Sequence, residues 1–109
     1  MKLWITQLRK GLLEFCVLNL LAHGETYGYE LTQRLKAVEE LAVTESTLYP
    51  ILTRLREEGL LKVRIDSSSG NRQRRYFSLT LFGQQRVREM NGYWDQLNDV
   101  IQRLRAGNY

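Results

Sequence analysis

The sequence predicts a mainly α fold with a two-stranded β wing: a winged helix-turn-helix followed by a C-terminal dimerisation helix. Three observations predict it. Residues 44–61 read as an amphipathic helix that stops at a glycine and runs straight into a strand, because Leu48, Ile51, Leu52 and Leu55 recur at helical spacing. The strand that follows opens a short arginine-bearing hairpin. A long final segment then repeats apolar residues in alternating steps of three and four.

The first helix is expected from Leu8 to Ala22. Leu12, Leu13, Phe15, Cys16, Val17, Leu18, Leu20 and Leu21 leave it few polar sides, so it is to be buried on more than one face. His23-Gly24 ends it. The second helix is expected from Tyr27 to Val38, with Leu31, Leu35 and either Tyr27 or Tyr29 on its apolar stripe. The third runs from Thr44 to Glu58. Thr44 can cap it, since its hydroxyl can accept a free first-turn amide. Gly59 stands where a helix favours a left-handed residue. Pro50 lies inside and removes one backbone donor, but the stripe continues past it.

Leu61, Val63 and Ile65 alternate with Lys62, Arg64 and Asp66, the pattern of a half-buried strand. Residues 67–71 (Ser-Ser-Ser-Gly-Asn) form the turn. Arg72 to Leu79 returns as the second strand, with Tyr76 and Phe77 on opposite faces. Thr80 caps the last helix, which is expected to reach about Arg105. Its seam is Val87, Met90, Trp94, Leu97, Ile101 and Leu104, with no later sequence to cover it. Self-association is the simplest cover, and a twofold homodimer the commonest form. The organisation expected is residues 1–80 as the winged helix-turn-helix and 81–109 as the dimerisation helix, in one compact unit.

Composition narrows the function. The 109 residues carry a net charge of +4 and a pI near 9.5, which favours an anionic partner. The single Cys16 excludes an internal disulfide and a multi-cysteine zinc site. No run is apolar enough to span a bilayer, and residues 1–9 are too short and polar for a signal peptide. The expectation is a cytoplasmic protein with no membrane partner and no cofactor. No Ser/His/Asp set, carboxylate pair or phosphate loop marks an enzyme.

The polar side of the third helix carries Ser46, Thr47, Tyr49, Thr53, Arg54 and Arg56. Hydroxyls and guanidiniums are the groups that reach phosphates and base edges. Ser46, Thr47 and Tyr49 are expected to face double-stranded DNA, with Arg54 or Arg56 on flanking phosphates. In the wing, Arg72, Arg74 and Arg75 flank a Ser/Gly-rich tip suited to phosphate or minor-groove contact. The alternative from another class is a winged-helix protein-interaction module without DNA binding, favoured by Glu45, Glu57 and Glu58 on the same helix. Cys16, on so apolar a helix, reads as a buried inert thiol.

Several runs carry a family resemblance. They are Tyr27-Gly28-Tyr29-Glu30-Leu31, Thr47-Leu48-Tyr49-Pro50-Ile51-Leu52 with Arg54-Leu55 and Glu58-Gly59-Leu60, and Arg74-Arg75-Tyr76-Phe77-Ser78-Leu79-Thr80 with Gly83. Together they make the chain similar to the PadR family of bacterial transcription regulators over nearly its whole length. The resemblance implies a regulator, of repressor type, acting on a DNA operator. The single short C-terminal helix looks like the smaller PadR subfamily, which implies a dimer built from the first and last helices. The chain departs from the family pattern in two ways: Leu81 and Phe82 replace the usual charged residues, and Glu45 adds a negative charge to the third helix. Some PadR-like multidrug-binding regulators stack planar compounds on paired tryptophans. By position this would make Trp94 the contact for a planar aromatic small-molecule effector at the dimer interface; plain packing of Trp94 stays open beside it.

Overall fold

The computed structural model describes residues 1–68, 70 and 73–109. The elements are α1 (Lys2–Leu21), β1 (Thr26–Tyr27), α2 (Gly28–Lys36), a 3₁₀ turn (Glu39–Leu41), α3 (Glu45–Glu57), β2 (Leu61–Asp66), β3 (Arg74–Leu79) and α4 (Leu81–Ala106). The strands form one antiparallel sheet in the order β1-β3-β2. The register pairs Val63 with Phe77 and Arg64 with Tyr76 across β2 and β3, and Tyr27 with Tyr76 across β1 and β3. One core holds the parts together: Leu13, Val17, Leu18 and Leu21 of α1, Leu31 and Leu35 of α2, Leu48, Leu52 and Leu55 of α3, Leu61, Phe77 and Leu79 of the sheet, and Val87 of α4.

The structure differs from the local expectations at several points. α1 starts at Lys2, not Leu8. Its first turns hold no helix breaker, and the Arg9 guanidinium donates to the Glu40 carbonyl at 2.6 Å. α2 starts one residue later and ends at Lys36 rather than Val38. Tyr27 leaves that helix for β1, so the two-stranded wing of β2 and β3 gains a third strand beside it in the sheet. Gly28 permits this junction: a Cβ there would stand 3.0 Å from the Phe77 ring and 3.4 Å from the Arg75 carbonyl. Tyr29 is 62% exposed, so the α2 stripe is Leu31 and Leu35 with the buried Thr32, whose hydroxyl donates to the Gly28 carbonyl at 3.0 Å. β3 begins at Arg74, and Arg72 lies outside the described residues.

The main features of α3 hold. Thr44 is its N-cap and accepts the Thr47 amide at 3.3 Å. The helix runs unbroken through Pro50. The carbonyl this proline leaves unpaired is that of Ser46, four residues back on an exposed face, where water can satisfy it. Gly59 takes φ +80°, and the Leu60 amide turns back to the Leu55 carbonyl at 2.9 Å. Thr80 caps α4 by accepting the Gly83 amide at 2.9 Å while its own hydroxyl donates to the Gly59 carbonyl at 2.6 Å. One side chain thus joins the end of α3 to the start of α4.

Candidate nucleic-acid interface

Helical spacing fixes which side chains of α3 stand together. With Leu48, Leu52 and Leu55 buried, the line diametrically opposite is Ser46, Pro50, Thr53 and Glu57, all exposed. Tyr49 and Arg56 lie on the flank toward the wing. Thr47 and Arg54 lie on the flank toward α1, where Thr47 shares a shallow hollow with Thr6, Arg9 and Lys10. The Thr44 hydroxyl lies 3.1 Å from that of Ser46 and 2.9 Å from that of Thr47, which orders both side chains at the start of the helix. Glu45 sits 3.8 Å from the Lys36 ammonium, so its negative charge has a partner on α2.

The two candidate arginines of α3 have different surroundings. Arg54 donates to Glu14 of α1 at 3.3 Å and to Glu58 at 3.4 Å. Glu14 is the main reason its guanidinium is held above the ordinary arginine range. Arg56, in contrast, lines a cleft of about 630 Å³ between α3 and the sheet, together with Tyr29, Tyr49, Thr53, Val63 and Arg75. The cleft brings Tyr49, Thr53 and Arg56 together with Arg75, which lies far along the sequence. It also adds Tyr29, which sequence reasoning missed. The signal was an aromatic residue of the second helix lying off the Leu31–Leu35 stripe.

The pleat of β3 separates the wing arginines. Arg75 shares a face with Phe77 and Leu79 and points toward α3. Arg74 stands on the other face, with its guanidinium carbon 5.3 Å from the centre of the Tyr27 ring. On that face Arg64 lies 4.5 Å from the centre of the Tyr76 ring and donates to both Glu25 oxygens, the shortest contact being 2.7 Å. Tyr27 and Tyr76 are 5.6 Å apart. At the start of the turn, hydrogen bonds from the Ser68 hydroxyl and amide hold the Asp66 carboxyl below its usual range.

The seam of α4 divides. Val87 is buried in the chain's own core and Met90 packs against it. Trp94 meets Phe15 of α1 at 5.7 Å between ring centres yet is 39% exposed. Leu97, Ile101 and Leu104 are 37%, 41% and 55% exposed. Sequence reasoning missed Tyr93 and Val100, which with Phe82 run along the adjacent line of the helix and are also exposed. The seven-residue step from Tyr93 to Val100, offset from the expected seam, was the signal. An apolar groove of about 500 Å³ lies between the helices, lined by Leu8, Leu12 and Phe15 of α1 and Met90, Trp94 and Leu97 of α4. Burial raises the Cys16 thiol pKa. Among the described residues, no helix is long and apolar enough to cross a membrane, and no three His, Cys, Asp or Glu side chains converge.

Comparison with known proteins agrees with this architecture. The chain is similar to a PadR-like transcriptional regulator from Bacillus cereus, 32% identical with a TM-score of 0.80, over 90% of this chain and 95% of that one. It is similar to a PadR family transcriptional regulator from Eggerthella lenta, 33% identical with a TM-score of 0.81, over 94% and 89% of the two chains. It is also similar to Bacillus subtilis PadR, solved in complex with operator DNA, 30% identical with a TM-score of 0.63, over 72% of this chain and 46% of that one. The profile of the transcriptional regulator PadR-like family matches residues 17–89, from the end of α1 to the third turn of α4, and the chain belongs to that family of regulators.

Proposed function

We propose that this chain is a sequence-specific DNA-binding repressor that works as a cytoplasmic homodimer. The observation that carries the reading is the exposed polar face of α3, continuous through Arg56 with the Arg75 side of the wing. Ser46, Tyr49 and Thr53 meet base edges or phosphates in the major groove, and Arg56 and Arg75 meet flanking phosphates. Thr47 and Arg54 act at the α1 edge of the footprint, and Arg54 must loosen its pair with Glu14 to reach a phosphate. The operator complex of Bacillus subtilis PadR supports this use of the fold. A salt-dependent gel shift on the protein's own upstream region tests it. Alanine at Arg56 or Arg75 is to reduce the log–log salt slope by about 0.9. Absence of any retardation would favour the protein-interaction module instead.

The exposed apolar residues of α4 support the dimer, which would set two copies of α3 about 10 bp apart or a multiple of that. Replacing Leu97 and Ile101 together by glutamate is to give monomers that bind DNA weakly. Sedimentation of the unmodified protein as a monomer at micromolar concentration excludes the dimer. The groove beside Trp94 suits a planar aromatic effector, which would shift DNA affinity only through its differential affinity for two dimer shapes. With Trp4→Phe leaving Trp94 as sole reporter, planar dyes are to quench its fluorescence. Unquenched emission, or equal binding by Trp94→Ala, makes Trp94 packing alone.

A further inference from the structure

We propose that Glu25, Tyr27, Arg64, Arg74 and Tyr76 are positioning residues for DNA binding, which lock the wing to the start of α2 and thereby set where Arg75 stands against α3; the proposal rests on the DNA-binding reading above.

β1 is only two residues long, so its ladder with β3 offers little resistance to rotation of the wing. Yet β1 runs directly into α2, while the far strand of the sheet, β2, follows α3 after a three-residue turn. The angle between the wing and the helices depends on what joins β1 to the strands beyond it. The outer face of the sheet supplies that join. Arg64 starts on β2, the far edge, passes over Tyr76 on the central strand at 4.5 Å and grips both oxygens of Glu25 beside β1. It therefore spans roughly two inter-strand spacings of about 4.8 Å. Tyr76 packs on Tyr27 at 5.6 Å, and Arg74 covers Tyr27 at 5.3 Å. The order Glu25–Arg64–Tyr76–Tyr27–Arg74 crosses all three strands.

This face is also chemically committed. A guanidinium fork on a carboxylate and a ring is directional, unlike a lysine in the same place. Of these two arginines, Arg64 already has a carboxylate on its fork, and both lie over aromatic rings. Arg75, on the opposite face, lies over none and lines the cleft beside Arg56. The alternation of one strand thus divides adjacent arginines into one that braces and one that contacts.

The test measures DNA affinity and its salt slope for the full chain and for Glu25→Gln, Arg64→Ala, Tyr27→Leu and Arg75→Ala, with thermal melting as the control for folding. Glu25→Gln is isosteric at a surface position, so it keeps the fold even where Tyr27→Leu does not. Glu25→Gln and Arg64→Ala are to weaken binding about two- to fivefold, the size of one exposed cation–π or ion-pair contact, with an unchanged slope. Arg75→Ala is to lower the slope by about 0.9. Exchanging the pair, Glu25→Arg with Arg64→Glu, is to recover affinity relative to Arg64→Ala, although a positive charge has left β2. A lowered slope in Arg64→Ala, no recovery in the exchanged pair, or unchanged affinity in Glu25→Gln overturns the brace while DNA binding stands. No salt-sensitive binding by the unmodified chain overturns both.

Discussion

α3 and α4 are built by the same local chemistry and finished differently. Each opens on a threonine that accepts a first-turn amide, Thr44 from Thr47 and Thr80 from Gly83. Each carries an apolar stripe at helical spacing. α3 sinks most of its stripe, with Leu48 and Leu55 at 0% and Leu52 at 3% exposure and Ile51 partly buried against the core. α4 sinks only Gly83 and Val87 fully. Its 26 residues extend, at ~1.5 Å per residue, well past the short axes of the molecule, so its second half outruns the core. Amphipathicity prepares a face for burial; what the rest of the chain brings alongside decides whether burial occurs. α3 is complete, which leaves its polar side available. α4 is incomplete, which leaves its apolar side available.

The largest expected effect breaks the contrast directly. Leu48→Ala is to cost about 2–5 kcal/mol, because it empties a filled site at the centre of the core. Leu97→Ala is to cost dilute protein much less and to matter more as concentration rises, since the part of it left exposed is covered only on association. Denaturant unfolding at several concentrations separates them. A concentration-independent cost at Leu97 equal to that at Leu48 would show α4 to be as complete as α3.

Next is a pair of glycines within α4. A Cβ at Gly83 would overlap the Leu60 backbone carbonyl, whereas one at Gly92 meets nothing within 4 Å. Gly83→Ala is to destabilise by about 1–3 kcal/mol, as overpacking against backbone does. Gly92→Ala is to stabilise by roughly 0.5–1 kcal/mol, as alanine does in a helix interior. Melting curves of the two variants check both signs. Both moving the same way would mean that the start of α4 does not press on the end of α3.

The caps come third. Thr44→Ala is to cost about 1 kcal/mol, the usual worth of an N-cap. Thr80→Ala is to cost more, because its hydroxyl also donates to the Gly59 carbonyl at 2.6 Å. Equal losses in unfolding experiments would make the bridge from α3 to α4 energetically silent.

The smallest effect is one of pH. Hydrogen bonding to Arg64 holds the Glu25 carboxyl below its ordinary value of 4.5. The folded chain therefore takes up that proton less readily than the unfolded one. The contribution is present above the ordinary value and is lost as pH falls through the lowered one. Glu25→Gln is to remove that part of the acid-side slope, and the difference is to be small because the pair lies at the surface, where solvent screens it. Titration of the Glu25 carboxyl by NMR at or above its ordinary value would remove the ion pair from the account.

Much of this was legible locally. Thr44, Gly59 and Thr80 announced helix ends because capping involves neighbours within one turn. The α3 stripe and the alternation of β2 were readable because both are periodic. The third strand was not: Thr26 and Tyr27 pair with Phe77 and Tyr76 about fifty residues on, and two residues carry no periodicity. Nor was the division of the arginines. Arg74 and Arg75 look like one patch in sequence, but alternate pointing along a strand and the rings of Tyr27 and Tyr76 separate them. Arg54 looked equivalent to Arg56 until Glu14, forty residues away, came within 3.3 Å of it.

The sequence by itself determined the order of the four helices and the hairpin, the threonine caps of α3 and α4, which side of α3 is apolar, and the apolar seam of α4, since each follows from spacing and short-range hydrogen bonding. Only the tertiary structure decided which arginines keep a cleft-facing guanidinium, how β1 ties α2 to the wing, and where along α4 the chain's own core ends. Those depend on distances between residues remote in sequence, and such distances exist only once the core has fixed the elements against one another.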